Sequence, residues 1–124
     1  MVELDTTNSE QNISEMFKLS VDIEVYGKDW ADKLHAASLL DETKTVVRLE
    51  IANRIRRENP GMSRRDSEDM AIMSADYRSH LMAMIDAKRA ANIARIMLEK
   101  AKTQFEAMRT AEVSRRVEMN QYQK

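Results

Sequence analysis

From Ala75 to about Met119 the chain runs without a glycine or a proline. Within that stretch Tyr77, His80, Met84, Ala87, Ala91, Ala94, Leu98, Ala101, Phe105 and Met108 follow one another in steps of three and four residues without a miss. An α-helix turns once in 3.6 residues, so such steps put all ten positions on one side. A strand repeats at every second residue and cannot use this pattern. The spacing predicts a helix over 75–119 with an apolar seam sustained for more than four heptads. Four of the ten seam residues are alanine, which lets a neighbouring helix approach closely. Met82, Ile85, Ile93, Ile96 and Met97 form a second apolar strip beside the seam.

A helix of about 45 residues is about 67 Å long. A compact domain of this chain length has a radius of gyration of about 14 Å. Either the helix bends back, or the molecule is elongated and buries its seam against other chains. The second outcome is the expectation. It places an oligomer interface at Tyr77, Met84, Ala87, Ala91, Ala94, Leu98, Ala101, Phe105 and Met108, with His80 packed and hydrogen-bonded on the same seam.

The rest of the chain reads as helix too. Ile13, Met16, Phe17, Val21 and Val25 recur at helical spacing, and Trp30, Leu34 and Ala37 continue an apolar stripe across Gly27, which reads as a kink. Ser38 with Asp41 gives a capping signal for a restart. Leu40, Val47, Ile51 and Ile55 then share one side of a further helix. The β-branched run "TVVRLEI" also suits a strand, but its flanks lack turn residues, so helix is preferred. "ENPGMS" is the clear break, since a residue before proline disfavours helix and Gly61 frees the backbone. Beyond this break, Ser63 with Asp66 caps a short helix and Ser74 with Asp76 caps the long one. The expected architecture is all-α: a disordered tail over 1–8, then a single helical domain over 9–124 with helices at about 9–37, 39–58, 63–73 and 75–119. The ten methionines are expected mainly at packed positions, as fillers of irregular gaps.

Composition narrows the chemistry. With no cysteine there is no disulfide, thiolate metal site or cysteine nucleophile. His35 and His80 have no metal-ligand spacing, and neither a phosphate-binding loop nor a hydrolase motif is present. No enzyme activity, cofactor or metal is expected. The N-terminal "MVELDTTNSEQ" is acidic and polar, and no run reaches the roughly 18 apolar residues that span a bilayer. The expected location is the cytoplasm, with no membrane partner.

A net charge of −1 hides an uneven distribution, with −6 over residues 1–32, +3 over 33–66 and +2 over 67–124. "IANRIRRENPGMSRR" gathers Arg54, Arg56, Arg57, Arg64 and Arg65 around the only proline. Cations at a helix C-terminus suit its dipole, which accounts for Arg56 and Arg57. It does not account for Arg64 and Arg65, which open the next segment. Guanidinium groups on either side of one hinge suit phosphate oxygens. A solvated cluster is the other reading. Few aromatic residues are available for base stacking, so binding of nucleic acid would be mainly electrostatic.

The order of these features resembles the UvsY family of phage recombination mediators. "VYGKDWADKL" resembles a Tyr-x-Lys-Trp-Leu-x-Lys stretch of that family. Arg54-Ile55-Arg56 before Pro60-Gly61 matches its alternating basic motif ahead of a glycine-containing loop. "MSADYRSHL" resembles a Leu-Ser-Ala-Asp-Lys stretch, and the chain closes with an alanine-rich helix ending "FEAMRTAEVSRRVEM". The resemblance covers roughly residues 25–119 and leaves the acidic N-terminal segment unexplained. It implies a helical, ring-forming homo-oligomer on single-stranded DNA. Such a protein loads a RecA-like recombinase onto strands coated by single-strand binding protein. It carries the DNA role to Arg54 and Arg56, and less directly to Arg57. Arg64 and Arg65 rest on the charge reading alone. Glu58 and Asn59 come after the basic motif where the family has aromatics. Two other functions remain open: a protein-binding module of a phage, used for anti-defence or host takeover, and a structural coiled-coil component.

Overall fold

The computed structural model describes the backbone of residues 2–122 and the side chains of residues 9–122. The chain is all-α, with three helices: α1 over Val2–Glu58, α2 over Arg64–Ile72 and α3 over Ala75–Tyr122. Among the described residues there is no strand. The run "TVVRLEI" lies inside α1.

α1 differs from expectation at two places. The expected break after residue 37 is absent, and one helix of 57 residues runs through Ser38. A capping signal acts only where the preceding backbone leaves the helix, and no glycine or proline lies between Lys28 and Asn59 to force that. The helix also begins earlier, because residues 2–8, expected as a disordered tail, belong to it. Met1 lies outside the described residues.

The expected turns hold. Asn59 N–H still bonds to the Ile55 carbonyl at 2.9 Å, and the chain then turns through Pro60 and Gly61. Ser63 caps α2 by accepting the Asp66 N–H at 3.0 Å. Ser74 caps α3 in the same way, accepting the Tyr77 N–H at 3.1 Å. α3 starts at the expected residue and runs three residues beyond the expected end.

The chain divides into two compact units, Met1–Trp30 with Ile93–Lys124, and Ala31–Asn92. In the second unit Ile51 and Ala52 of α1 close on Ala71 of α2, which has no exposed surface. Val47, Ile55 and Tyr77 pack around them. The small side chains at 52 and 71 bring the two helices close, and Ile51 fills the space beside them. Polar contacts join the helices of this unit. With its proton on Nε2, His80 donates to the Leu40 carbonyl at 2.8 Å. Lys88 meets Asp41 at 3.5 Å. That lysine, with Lys44, holds the Asp41 carboxyl below its usual range.

In the first unit the inner face of α1 is Met16, Leu19, Ile23, Tyr26 and Trp30, all half-buried. Of the stripe expected there Met16 is half-buried, but Ile13, Phe17, Val21 and Val25 are exposed. Both sets have helical spacing, so the sequence did not separate them. The first set keeps in step with a heptad, whereas residues spaced by four throughout drift around the helix. Ala94, Leu98 and Ala101 of α3 are buried. Glu112 is the buried charged residue at the far end of that row, 6% exposed. Its Oε1 accepts Arg115 at 2.7 Å and Ser9 at 2.9 Å. These two hydrogen bonds, the one from Arg115 first, hold the Glu112 carboxyl below the usual glutamate range.

The methionines depart from expectation. Of those with described side chains, Met16, Met62, Met84 and Met108 are half-buried and none is buried, while Met70, Met73, Met82, Met97 and Met119 are exposed.

Ile51→Ala removes most of a nearly buried side chain and is expected to cost about 2–5 kcal/mol, read from the shift of a urea unfolding curve. A glutamate held below its usual pKa stabilises the fold above that value, and loses the contribution as the pH falls through the folded one. Thermal stability should therefore decline below about pH 5. The Glu112→Gln variant should show a flatter acid limb.

Candidate nucleic-acid interface

The five arginines singled out in the sequence have different surroundings. All belong to the second unit. Arg54 lies in the penultimate turn of α1, and its Nη2 donates to Asp76 Oδ2 at 2.7 Å. This bond raises the Arg54 pKa above its ordinary value. Arg64, the first residue of α2, bonds Glu68 one turn later at 3.2 Å. The carboxylate-paired guanidiniums of Arg54 and Arg64 are less available to an incoming anion.

Arg56 and Arg57 stand in the last turn of α1. Together with Asn53, Gly61 and Met62 they line a shallow depression where α1 gives way to the turn. Neither has an ion pair among the described residues, and both are exposed. Their local setting follows from the sequence. The C-terminal end of a helix carries unpaired carbonyls that favour cations. Gly61 makes the turn beyond α1 with φ of +95°, a conformation that side-chain-bearing residues rarely adopt.

Arg65 is exposed on α2, has no ion pair among the described residues, and does not line the depression. Positive charge in the first turn of α2 is offset by Asp66 in the same turn. Arg56 and Arg57 thus share the depression as neighbours on α1, the hinge does not bring Arg64 or Arg65 into it, and Arg54 and Arg64 are engaged with carboxylates.

Asn53 and Asp76 were not singled out in the sequence. Asn53 lies one turn before Arg57 on α1, and nothing in its spacing marks it. Asp76 lies 22 residues from Arg54, and only the folded chain brings the two together. By contrast, the Arg64–Glu68 pair has the four-residue spacing that a helix brings together.

The residues expected at an oligomer interface pack within the single chain. Ala91, Ala94, Leu98 and Ala101 are buried within a single chain, and Tyr77, His80, Met84, Ala87, Phe105 and Met108 are half-buried. The chain covers its own seam, so those residues offer little surface to a second copy. The strip beside the seam, Met82, Ile85, Ile93, Ile96 and Met97, is exposed instead. Of the other residues weighed for chemistry, His35 is exposed, and Tyr26 and Trp30 are half-buried. Among the described residues no group of three or more histidines, aspartates or glutamates is placed to hold a metal ion. No helix of the described residues is long and apolar enough to cross a membrane.

Compared with family models, with curated proteins and with solved structures, the chain matches none. The functional reading therefore rests on its own residues and on the resemblance they carry.

Gly61→Ala is expected to cost about 1–2 kcal/mol in a urea unfolding curve, because a Cβ disfavours positive φ. No neighbouring atom lies where that Cβ would go, so backbone strain alone sets the loss.

Proposed function

We propose that this protein binds single-stranded DNA through Arg56 and Arg57 and acts as a phage recombination mediator. In this role it helps to load a RecA-like recombinase onto strands held by single-strand binding protein. The observation that carries the reading is the depression lined by Arg56, Arg57, Asn53 and Gly61. Two guanidinium groups without carboxylate partners stand there beside a side-chain amide. Phosphate oxygens accept from such donors in forked geometry. Arg65 adds charge nearby in sequence, and Arg54 contributes when it leaves Asp76. The resemblance of residues 25–119 to the UvsY family supplies the recombinase and the single-strand binding protein as partners.

The mechanism is scaffolding and uses no catalytic group or cofactor. A single pair of arginines binds weakly. Several copies in a homo-oligomer present many pairs to one strand, and multivalency turns weak contacts into tight binding. The protein acts in the host cytoplasm, where the strands and the recombinase are. A second reading, a protein-binding module or structural coiled-coil component, draws on the exposed apolar residues of α1 and α3.

Binding to a poly-dT strand, followed by fluorescence anisotropy, separates the two. Affinity should fall steeply with salt, because each neutralised phosphate releases counterions. Arg56→Ala with Arg57→Ala should lower the slope of log K against log salt by about 1.4, given about 0.7 per contact on single strands. Wild-type protein that fails to bind at low salt would leave the second reading in place.

A further inference from the structure

The first unit, Met1–Trp30 with Ile93–Lys124, has two unlike sides. One carries a groove lined chiefly by Ile13, Met16, Phe17, Phe105 and Val113, with Arg109 and Arg116 beside them. The other is lined by Leu19, Ala107 and Met108 with Glu15, Lys18, Asp22 and Gln104 around them. On the apolar side Phe17 is 70% exposed. An aromatic ring facing water from a helix surface gives up the burial that aromatic residues normally supply. Large exposed apolar patches mark interaction surfaces.

The charges around the groove indicate what covers it. Arg95, Lys102, Arg109 and Arg116 recur every seven residues on α3, which spaces them by about 10.5 Å along one edge of the helix. On α1, Glu10 and Glu24 stand seven residues to either side of Phe17 and share its row. The two rows are opposite in sign: the basic charges lie seven residues apart and the two acids fourteen apart, with Glu24 also paired to Lys28 at 3.4 Å. The α1 stretch 9–30 holds five acids against two bases, net −3, and the α3 stretch 93–122 holds six bases against four acids, net +2. The basic row is partly neutralised within its own helix, by Glu99 on Arg95 at 3.7 Å and Glu106 on Arg109 at 3.7 Å. Glu112 lies 3.9 Å from Arg116. A partly neutralised row flanking an apolar groove suits a protein surface with a few acids better than a polyanion.

We infer that a second copy of this chain docks on this side. Its Phe17 enters the groove, and its Glu10 and Glu24 meet the row from Arg95 to Arg116. The pairing is two-fold, so each copy gives the same residues to the other, and an assembly of several copies joins such pairs through a further contact. Two layers of two helices then enclose an apolar interior, as helical bundles do. This inference rests on the reading of the protein as self-associating and is independent of the DNA contact at Arg56 and Arg57.

Sedimentation velocity on the full-length chain, without DNA, tests it. The wild type is expected to associate at micromolar concentration. Phe17→Glu should weaken association by roughly 30-fold or more, as loss of a central aromatic anchor does. Its helical circular dichroism should be unchanged, because the ring faces solvent. A chain with Glu10→Lys and Glu24→Lys should dissociate, and so should one with Lys102→Glu and Arg109→Glu. Mixing the two should restore association in part, since the middle two positions of the row then again face opposite charges. Arg56→Ala with Arg57→Ala should associate like the wild type, which separates failure here from failure to bind DNA. A monomeric wild type, a Phe17→Glu variant that associates normally, or charge-reversed chains that stay apart on mixing would each overturn the inference. Loss of poly-dT binding by Phe17→Glu from a monomeric wild type would assign the surface to DNA instead.

Discussion

Everything that this chain can present to another molecule is set by one constraint: a helix paired with one neighbour buries one stripe and leaves the rest in water. On α3 that stripe is the row of three- and four-residue steps from Tyr77 to Met108, every member of which is buried or half-buried within a single chain. The alanines at 91, 94 and 101 allow the close approach. Because the row is spent on the chain's own packing, the surface left for any other molecule lies mainly away from it. The exposed apolar residues of the first unit and the arginines at the end of α1 are such surfaces.

Polar contacts fix the packing where apolar spacing alone would tolerate a slip. His80 on the Leu40 carbonyl and Arg54 on Asp76 each join residues far apart in sequence in the second unit. Ser9 on Glu112 does so in the first, while Arg115, one turn from Glu112 on α3, holds the same carboxylate. Glu112 continues the step pattern of α3 four residues beyond Met108, so a carboxylate stands where the row would next place an apolar side chain. A buried charge costs desolvation and is tolerated when hydrogen-bonded, and its recognised use is to specify register.

The sequence made the helical class, the turn at Pro60 and Gly61, and both serine caps legible, because each is a local signal with one physical cause. It made the α3 seam legible through an unbroken repeat. It misled at Ser38, where a capping pattern lies within a helix that nothing interrupts. It misled again over residues 13–25, where two apolar sets both fit helical spacing and only the partner helix chooses Met16, Leu19 and Ile23 over Phe17 and Val21. At the arginine cluster the sequence showed five like charges. The fold divides them, since Asp76 reaches Arg54 only across the folded chain, whereas Arg56 and Arg57 keep an open surface. Whether a seam faces its own chain or another depends on the path of the chain, which local spacing does not encode.

Amide hydrogen exchange of the full chain, with and without an oligo-dT strand, tests the DNA contact most directly. Slowed exchange over residues 53–62 on adding the strand, with little change over 9–30 and 93–122, is the expected result. Unchanged exchange over 53–62 in a strand-bound protein would contradict DNA contact through Arg56 and Arg57.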